Sequence, residues 1–586
     1  MMNKKLAIFR EEMKKEKMQA YIVPTSDDHD TEYVCSHFMS RAYLSGFTGS
    51  AGTLVIGCQQ AALWTDGRYF IQAKDQLAGS GIDLMKMGVE GTPTISEYLV
   101  DHLASGSVVG LDGRLFSEAT IEIYEEALDQ KGLILKTDLD LVDRIWPDRP
   151  ALPHTPTFHF DTQYAGKTMN EKLEAVRAQL STDHLVITKI DQVAWLFNLR
   201  AHDIPSFPVA MAYAIVSQDR ASIYIDDSRL DAISRDLFEK NAITIRPYEA
   251  IYTDMQKLTG TVCVDPYTIN STLYRLIEAD IVEDENPIER MKACKNRIEI
   301  EQTKEAHLKD AVAMTQFMYW LKTNVGKISM TEMSATQKLH ELRASQADFI
   351  EDSFATIAAY KEHGAIVHYQ SSPETDVALQ PKGLFMVDSG GHYYQGTTDI
   401  TRTFVMGPIS EYERKCFTWA LQCHIRLEQA TWLYGCTGEQ LDMIARQPLW
   451  NHSLDFKHGT GHGVGHVLSV HEGPNMIRWQ QASVPFEVGM ITSDEPGIYI
   501  EGQFGIRHEN EVLAIDLEKN DYGQFMGFEP LTWVPFDVDG LDVNEMQPNE
   551  IDWLNDYHAK VYQKVSPYLN DQQRQWLAHA CRSLAQ

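Results

Sequence analysis

The pattern of apolar and polar positions divides the chain into three stretches. The first carries short apolar runs of strand length, Thr53 to Ile56 and then Ala62-Leu63-Trp64-Thr65, closed by Asp66-Gly67-Arg68. The second repeats that rhythm, with Ala212 to Val216, then Ile223-Tyr224-Ile225, closed by Asp226-Asp227-Ser228-Arg229. Strands alternating with helical patterns predict α/β domains, and the shared rhythm predicts two domains of one design. Between them Pro147, Pro150, Pro153 and Pro156 deny both helix and inner strand, which marks a linker. A second break falls at the acidic run Glu283-Asp284-Glu285-Asn286-Pro287. Beyond it Ile300, Lys304, Ala311, Met314, Phe317, Met318 and Leu321 lie largely at helical spacing and predict a long amphipathic helix. The expected domains are therefore residues 1–155, 156–293 and 294–586. Near the end, Trp553, Tyr557, Val561, Val565 and Tyr568 give an apolar helical face without catalytic motif, suited to cap a core or to form a dimer contact.

Composition narrows the classes of partner. A chain of 586 residues is too long for one core, in keeping with several domains. Lys and Arg number 52 against 83 Asp and Glu, a formal charge of -31, which repels phosphate backbones and anionic membranes. Nucleic acid and membrane are therefore not expected partners. The 8 cysteines, scattered from Cys35 to Cys581 without a C-x-x-C pair, read as reduced thiols. The N-terminal run is charged throughout, without the apolar segment of a secretory signal, and no stretch of about 18 apolar residues predicts a membrane span. The expected location is the cytoplasm.

The chemistry gathers in the third stretch. Leu384-Phe385-Met386-Val387-Asp388-Ser389-Gly390-Gly391 reads as a buried strand ending in an acid and a glycine turn. The chain returns through Gly396-Thr397-Thr398-Asp399-Ile400-Thr401-Arg402-Thr403, so a hairpin can set Asp388 opposite Asp399. Two adjacent carboxylates repel and need a cation or a shared proton. Next comes His458-Gly459-Thr460-Gly461-His462-Gly463-Val464-Gly465-His466, followed by His471. Its glycines remove side chains, which lets backbone pass close to a ligand. Two more acidic strands follow, Met490 to Gly497 with Glu495, and Gly505 to Glu511, where period two sets Arg507, Glu509 and Glu511 on one face. Four carboxylates and one imidazole suit a pair of hard or borderline divalent ions, manganese, cobalt or iron rather than thiolate-bound zinc. The charges balance, about four negative against two divalent cations.

In this order the motifs V-D-S-G, T-T-D-I-T-R-T, H-G-T-G-H-G-V-G, S-D-E-P-G and I-R-H-E-N resemble the pita-bread metallopeptidase family. The Trp64 to Tyr69 and Trp195 to Arg200 stretches and the three-part length resemble its long, three-domain Xaa-Pro aminopeptidase type. That resemblance implies two creatinase-like α/β domains followed by a pita-bread catalytic domain. It implies two divalent ions, foremost Mn(II), held by Asp388, Asp399, His462, Glu495 and Glu509, with Asp399 and Glu509 bridging. It implies substrate or catalytic roles for His368, His458, His471, Glu495 and Arg507, and hydrolysis of the N-terminal Xaa-Pro bond by a hydroxide between the ions. Peptides with proline in second position are the implied substrates, and a homodimer the implied assembly. A prolidase-like dipeptidase on the same fold and a non-catalytic peptide-binding relative are the alternatives. His466 and His508 depart from the family pattern and carry no assigned role.

Overall fold

The computed structural model describes residues 4–481 and 483–585; the first three residues of the charged N-terminal run, Ala482 and Gln586 lie outside the described residues. The chain forms two compact units, Met1–Thr162 with Lys167–Glu289, and Gln163–Gly166 with Arg290–Gln586.

The first unit holds two six-stranded sheets. Strands β1 (Ala20–Pro24), β2 (Thr53–Gly57), β3 (Ala61–Thr65), β4 (Asp83–Lys86), β5 (Val108–Gly110) and β6 (Ile134–Lys136) lie in the order β4-β3-β2-β1-β5-β6. Strands β7 (His184–Ile187), β8 (Tyr213–Ser217), β9 (Ala221–Tyr224), β10 (Ile243–Arg246), β11 (Thr261–Val264) and β12 (Asp280–Glu283) repeat it as β10-β9-β8-β7-β11-β12. In both sheets the three strands at the middle pair antiparallel and the remaining ladders are parallel. The shared rhythm of the sequence is thus a shared topology. Short hairpins close β2–β3 and β8–β9, whereas longer connections that contain a helix join β1 to β2 and β7 to β8. Asp66 and Arg68 form a local turn pair at 2.9 Å after β3. The proline-rich residues 147–157 carry neither helix nor strand.

The second unit opens on the long helix α1 (Arg297–Asn324), capped by Asn296, whose side chain accepts from Ile298 and Glu299 amides while Glu299 reaches back. Ala311, Met314, Phe317, Met318 and Leu321 are buried along it, and Lys304 is exposed. Strands β13 (Ile357–Tyr360), β14 (Leu384–Ser389) and β15 (Ile400–Val405) form one antiparallel sheet. Helices α2 (Glu411–Glu428) and α3 (Gly438–Trp450) flank β16 (Thr431–Leu433). Then follow β17 (Gly461–His462), β18 (Ile491–Asp494), β19 (Gly497–Ile500), β20 (Phe504–Arg507), β21 (Asn510–Asn520) and β22 (Gly523–Pro530). A second sheet has the order β16-β22-β21-β18. Helix α4 (Pro548–Val565) joins the core formed by α1, β14, β15 and α2, burying Ile551, Leu554, Tyr557, Val561 and Val565. Each such apolar side chain contributes about 1.5–3 kcal/mol. The C-terminal face therefore caps the core. Tyr568 departs from that expectation: it lies beyond the helix on a tight turn and is 59% exposed. No helix among the described residues is long and apolar enough to cross a membrane.

Candidate active site

The β14–β15 ladder sets Asp388 opposite Thr401, and Asp399 stands two residues before Thr401 on the same face. The two acids thus share a face diagonally rather than directly opposite. Glu509 sits at the break between β20 and β21. Its amide donates to the Thr401 carbonyl at 3.1 Å, and its Oε2 accepts from the Thr401 hydroxyl at 2.6 Å. The β18–β21 ladder pairs Asp494 with Asn510, which brings the following Glu495 toward Glu509. Glu495 is fixed by its amide, which donates to the Thr460 carbonyl at 2.8 Å. His462 is tied to β18: its amide donates to Ser493 Oγ at 3.0 Å and its carbonyl accepts from Thr492 Oγ1 at 3.0 Å. The interleaved glycines admit this packing. A Cβ on Gly461 would stand 1.9 Å from the Ser493 carbonyl oxygen, and one on Gly463 2.0 Å from that of Glu472. Here the glycines bring backbone against backbone, where a close approach to ligand was expected.

Asp399, His462 and Glu509 each offer one ligand atom, all within 4.8 Å of one another. His462 Nε2 lies 3.5 Å from Asp399 Oδ2 and 3.5 Å from Glu495 Oε1. Asp388 accepts from the Arg507 guanidinium, which also donates to Tyr499 Oη at 2.6 Å. His458 Nε2 is 2.8 Å from the same hydroxyl, and its Nδ1 is 4.0 Å from Glu495 Oε2. The His471 ring stands edge-on to that of His462 at 4.3 Å. His368 is half-buried and follows Val367, whose carbonyl accepts from Arg507 at 3.3 Å. Eight of the nine residues singled out from the sequence are thus linked by contacts, and His368 adjoins them.

The electrostatics call for cations. Burial, then Glu509, Asp388 and Glu495, push the Asp399 carboxyl well above its ordinary range. Burial, then Asp388 and Glu495, do the same to Glu509, against Thr401 and Arg507. Burial pushes Glu495 up to about 7, with Asp388 adding and Arg507 and His471 opposing. Asp388 Oδ1 and Asp399 Oδ1 are buried without a hydrogen-bond partner in the protein. Four carboxylates against one guanidinium, with orphaned oxygens among them, fit a pair of divalent ions.

Some participants escaped sequence reasoning. Thr401 bonds Glu509 and accepts from Arg507 Nε at 3.1 Å, and Tyr499 joins Arg507 to His458. Period two counted from Asp399 pointed to Thr401; nothing local pointed to Tyr499. Glu511 is buried with His307 Nε2 at 3.2 Å and adds to the upward push on Asp399. His508 turns away from the pocket, its Nε2 3.2 Å from the Phe417 carbonyl and its ring against Phe417 and Phe536.

Comparison with known proteins gives the family of the chain. Residues 301–516 match metallopeptidase family M24 and residues 524–584 its C-terminal region. Residues 5–141 and 148–299 each match the creatinase/prolidase N-terminal domain. The chain belongs to metallopeptidase family M24, with creatinase-like α/β domains preceding a pita-bread catalytic domain. It is 40% identical to aminopeptidase P2 of Arabidopsis thaliana over 97% of this chain and 86% of that one. It is 36% identical to Xaa-Pro aminopeptidase 1 of Dictyostelium discoideum over 99% of this chain and 96% of that one. The X-prolyl aminopeptidase of Caenorhabditis elegans, described as a cytosolic enzyme with a di-nuclear active site, superposes with a TM-score of 0.95 at 33% identity over 99% of each chain.

Proposed function

We propose that this protein is a metallo-aminopeptidase that hydrolyses the bond between an N-terminal residue and a proline in second position. The observation that carries the reading is the set of four carboxylates, three of them buried, with half-buried His462 and orphaned Asp388 and Asp399 oxygens, in a chain similar end to end to X-prolyl aminopeptidases. Two divalent ions would be held by Asp388, Asp399, His462, Glu495 and Glu509. Mn(II) is the expected metal, because an oxygen-rich set with one imidazole suits it. When bound, such ions acidify a water molecule and draw charge from a carbonyl oxygen.

The chain's own groups do the rest. Arg507 orients Asp388, and Tyr499 ties Arg507 to His458. Glu495 takes up and returns the proton of the attacking water. His368 and His471 contact the substrate and steady the charge that develops on its carbonyl oxygen. Proline makes a tertiary amide without N–H, so a site that grips the backbone at other points is needed. The same reading makes the protein cytoplasmic, as the C. elegans relative is described, and a homodimer, which light scattering at micromolar concentration checks.

A short peptide panel tests the activity. Ala-Pro-Ala should be cut after its first residue, chelation should stop the reaction and Mn(II) should restore it best. Ala-Ala-Ala and N-acetylated Ala-Pro-Ala should be nearly inert. Equal turnover of the proline and alanine peptides would contradict the specificity, and cleavage confined to the dipeptide Ala-Pro would favour the prolidase-like alternative.

A further inference from the structure

The loop that leaves β17 at His462 and returns at His471 sets where two imidazoles of the pocket stand. Its base is closed by backbone: the Gly463 amide donates to the Asn475 carbonyl at 2.9 Å and the Glu472 amide to the Gly463 carbonyl at 2.8 Å. The Glu472 carboxylate lies between Lys292 and Lys295, each ammonium at 2.9 Å, all three side chains buried. The tip is strained. Val467 has φ 54°, and among the described residues it is the one β-branched residue with positive φ. Its Cβ is crowded there, and such strain persists only where the surroundings impose it.

Three contacts impose it. The Val467 side chain is fully buried. Its amide donates to Thr397 Oγ1 at 3.0 Å, two residues before Asp399. The neighbouring His466 ring is held at both nitrogens, Nδ1 3.2 Å from Thr303 Oγ1 on α1 and Nε2 3.1 Å from the Tyr164 carbonyl. A carbonyl only accepts, so Nε2 carries the proton and Nδ1 accepts from the threonine hydroxyl; one neutral tautomer satisfies both bonds.

We propose that His466 is a positioning residue: with the strained Val467 it forms a clasp that fixes the loop, and through it the placement of His462 and His471 at the carboxylate cluster. The inference rests on the reading of His462 as a metal ligand. It acts through loop geometry, so it predicts a loss of metal affinity without a loss of fold.

The test compares full-length His466→Ala, His466→Gln, Val467→Gly and His462→Ala with the parent, all stripped of metal. Mn(II) binding is measured by calorimetry, and the metal-free proteins are melted. His466→Ala should bind Mn(II) about 10–100-fold more weakly, the scale of partners behind metal ligands, and melt near the parent. His466→Gln, which keeps one bond, should fall between. Val467→Gly, which loses the buried side chain together with the strain, should also bind Mn(II) more weakly. Parent-like binding by His466→Ala beside weakened His462→Ala overturns the clasp alone. Joint loss of affinity and melting temperature in His466→Ala also overturns it, since that marks a purely structural role. Parent-like binding by His462→Ala overturns the ligand assignment and the clasp with it.

Discussion

Two kinds of buried charge group in the second unit end differently. Glu472 is flanked by Lys292 and Lys295, and in the same unit Asp310 takes two hydrogen bonds from Arg343, at 2.7 and 3.1 Å. In each the chain supplies the countercharge, two ammonium groups for Glu472 and a guanidinium for Asp310. At the pocket, Asp388, Asp399, Glu495 and Glu509 meet one guanidinium, and carboxyl oxygens remain orphaned. The same burial that makes a closed ion group rigid makes an unbalanced one a receptor for cations. The difference lies in which charges are withheld, not in how deeply they are buried.

Four experiments would break or sharpen that contrast. The largest effect is expected from Asp399→Asn, which should abolish peptide turnover. It should also remove most of the stabilisation by Mn(II), about 2.7 kcal/mol in the parent at a hundredfold excess over Kd. The metal-free mutant should be as stable as the metal-free parent or more so, because one repelling charge is gone. Thermal melts with and without Mn(II) decide this, and a mutant that keeps the full increment would show that Asp399 does not bridge the ions.

Next in size is Glu472→Gln. It leaves two buried ammonium groups without their carboxylate and should cost about 3–5 kcal/mol in urea unfolding of the metal-free protein. This is the opposite sign to Asp399→Asn, and equal signs would erase the contrast. Third is pH. Carboxyls raised in the folded state hold more protons folded than unfolded, so the stability of the metal-free protein should fall as pH rises from the ordinary carboxylate range through about 7, where Glu495 titrates. The increment from Mn(II) should grow over the same interval. Melts at about pH 5.5 and about pH 7.5 measure both trends, and a pH-independent increment would contradict the repulsion. The smallest effect belongs to Thr401→Val. It removes hydrogen bonds to Glu509 and Arg507 and should weaken Mn(II) binding about tenfold, with the fold intact by circular dichroism.

Local pattern and chemistry were legible in the sequence to the extent that they depended on neighbours in the chain. The strand ending at Asp388, the return through Asp399, the glycine-spaced histidines and the duplicated rhythm of β2–β3 and β8–β9 all follow from period, turn residues and charge. The family resemblance then assigned roles to residues that the pattern merely brought together. What stayed hidden depends on contacts between distant positions. Tyr499 matters because a hydroxyl meets Arg507 and His458 in three dimensions. His508 occupies a motif position, yet its ring is claimed by Phe417 and Phe536. Tyr568 continues a helical period past the end of the helix, which stops at Val565. Glu511 lies beyond a break in the strand and finds His307 on α1, a partner no local rule names.

Gln163–Gly166 belongs to the second unit although the chain on both sides belongs to the first. This short strap supplies the Ala165 carbonyl that accepts from Asn296 and the Tyr164 carbonyl next to His466. The second unit is therefore discontinuous along the gene product. A fragment begun at residue 294 would carry every candidate ligand and still arrive without this short helical segment and without Lys292, which flanks Glu472. Synthesis from the N-terminus makes that piece first and leaves it waiting through more than a hundred residues of intervening chain. A truncation meant to isolate the catalytic portion would need residues 163–166 returned, as a separate peptide or through a shortened graft.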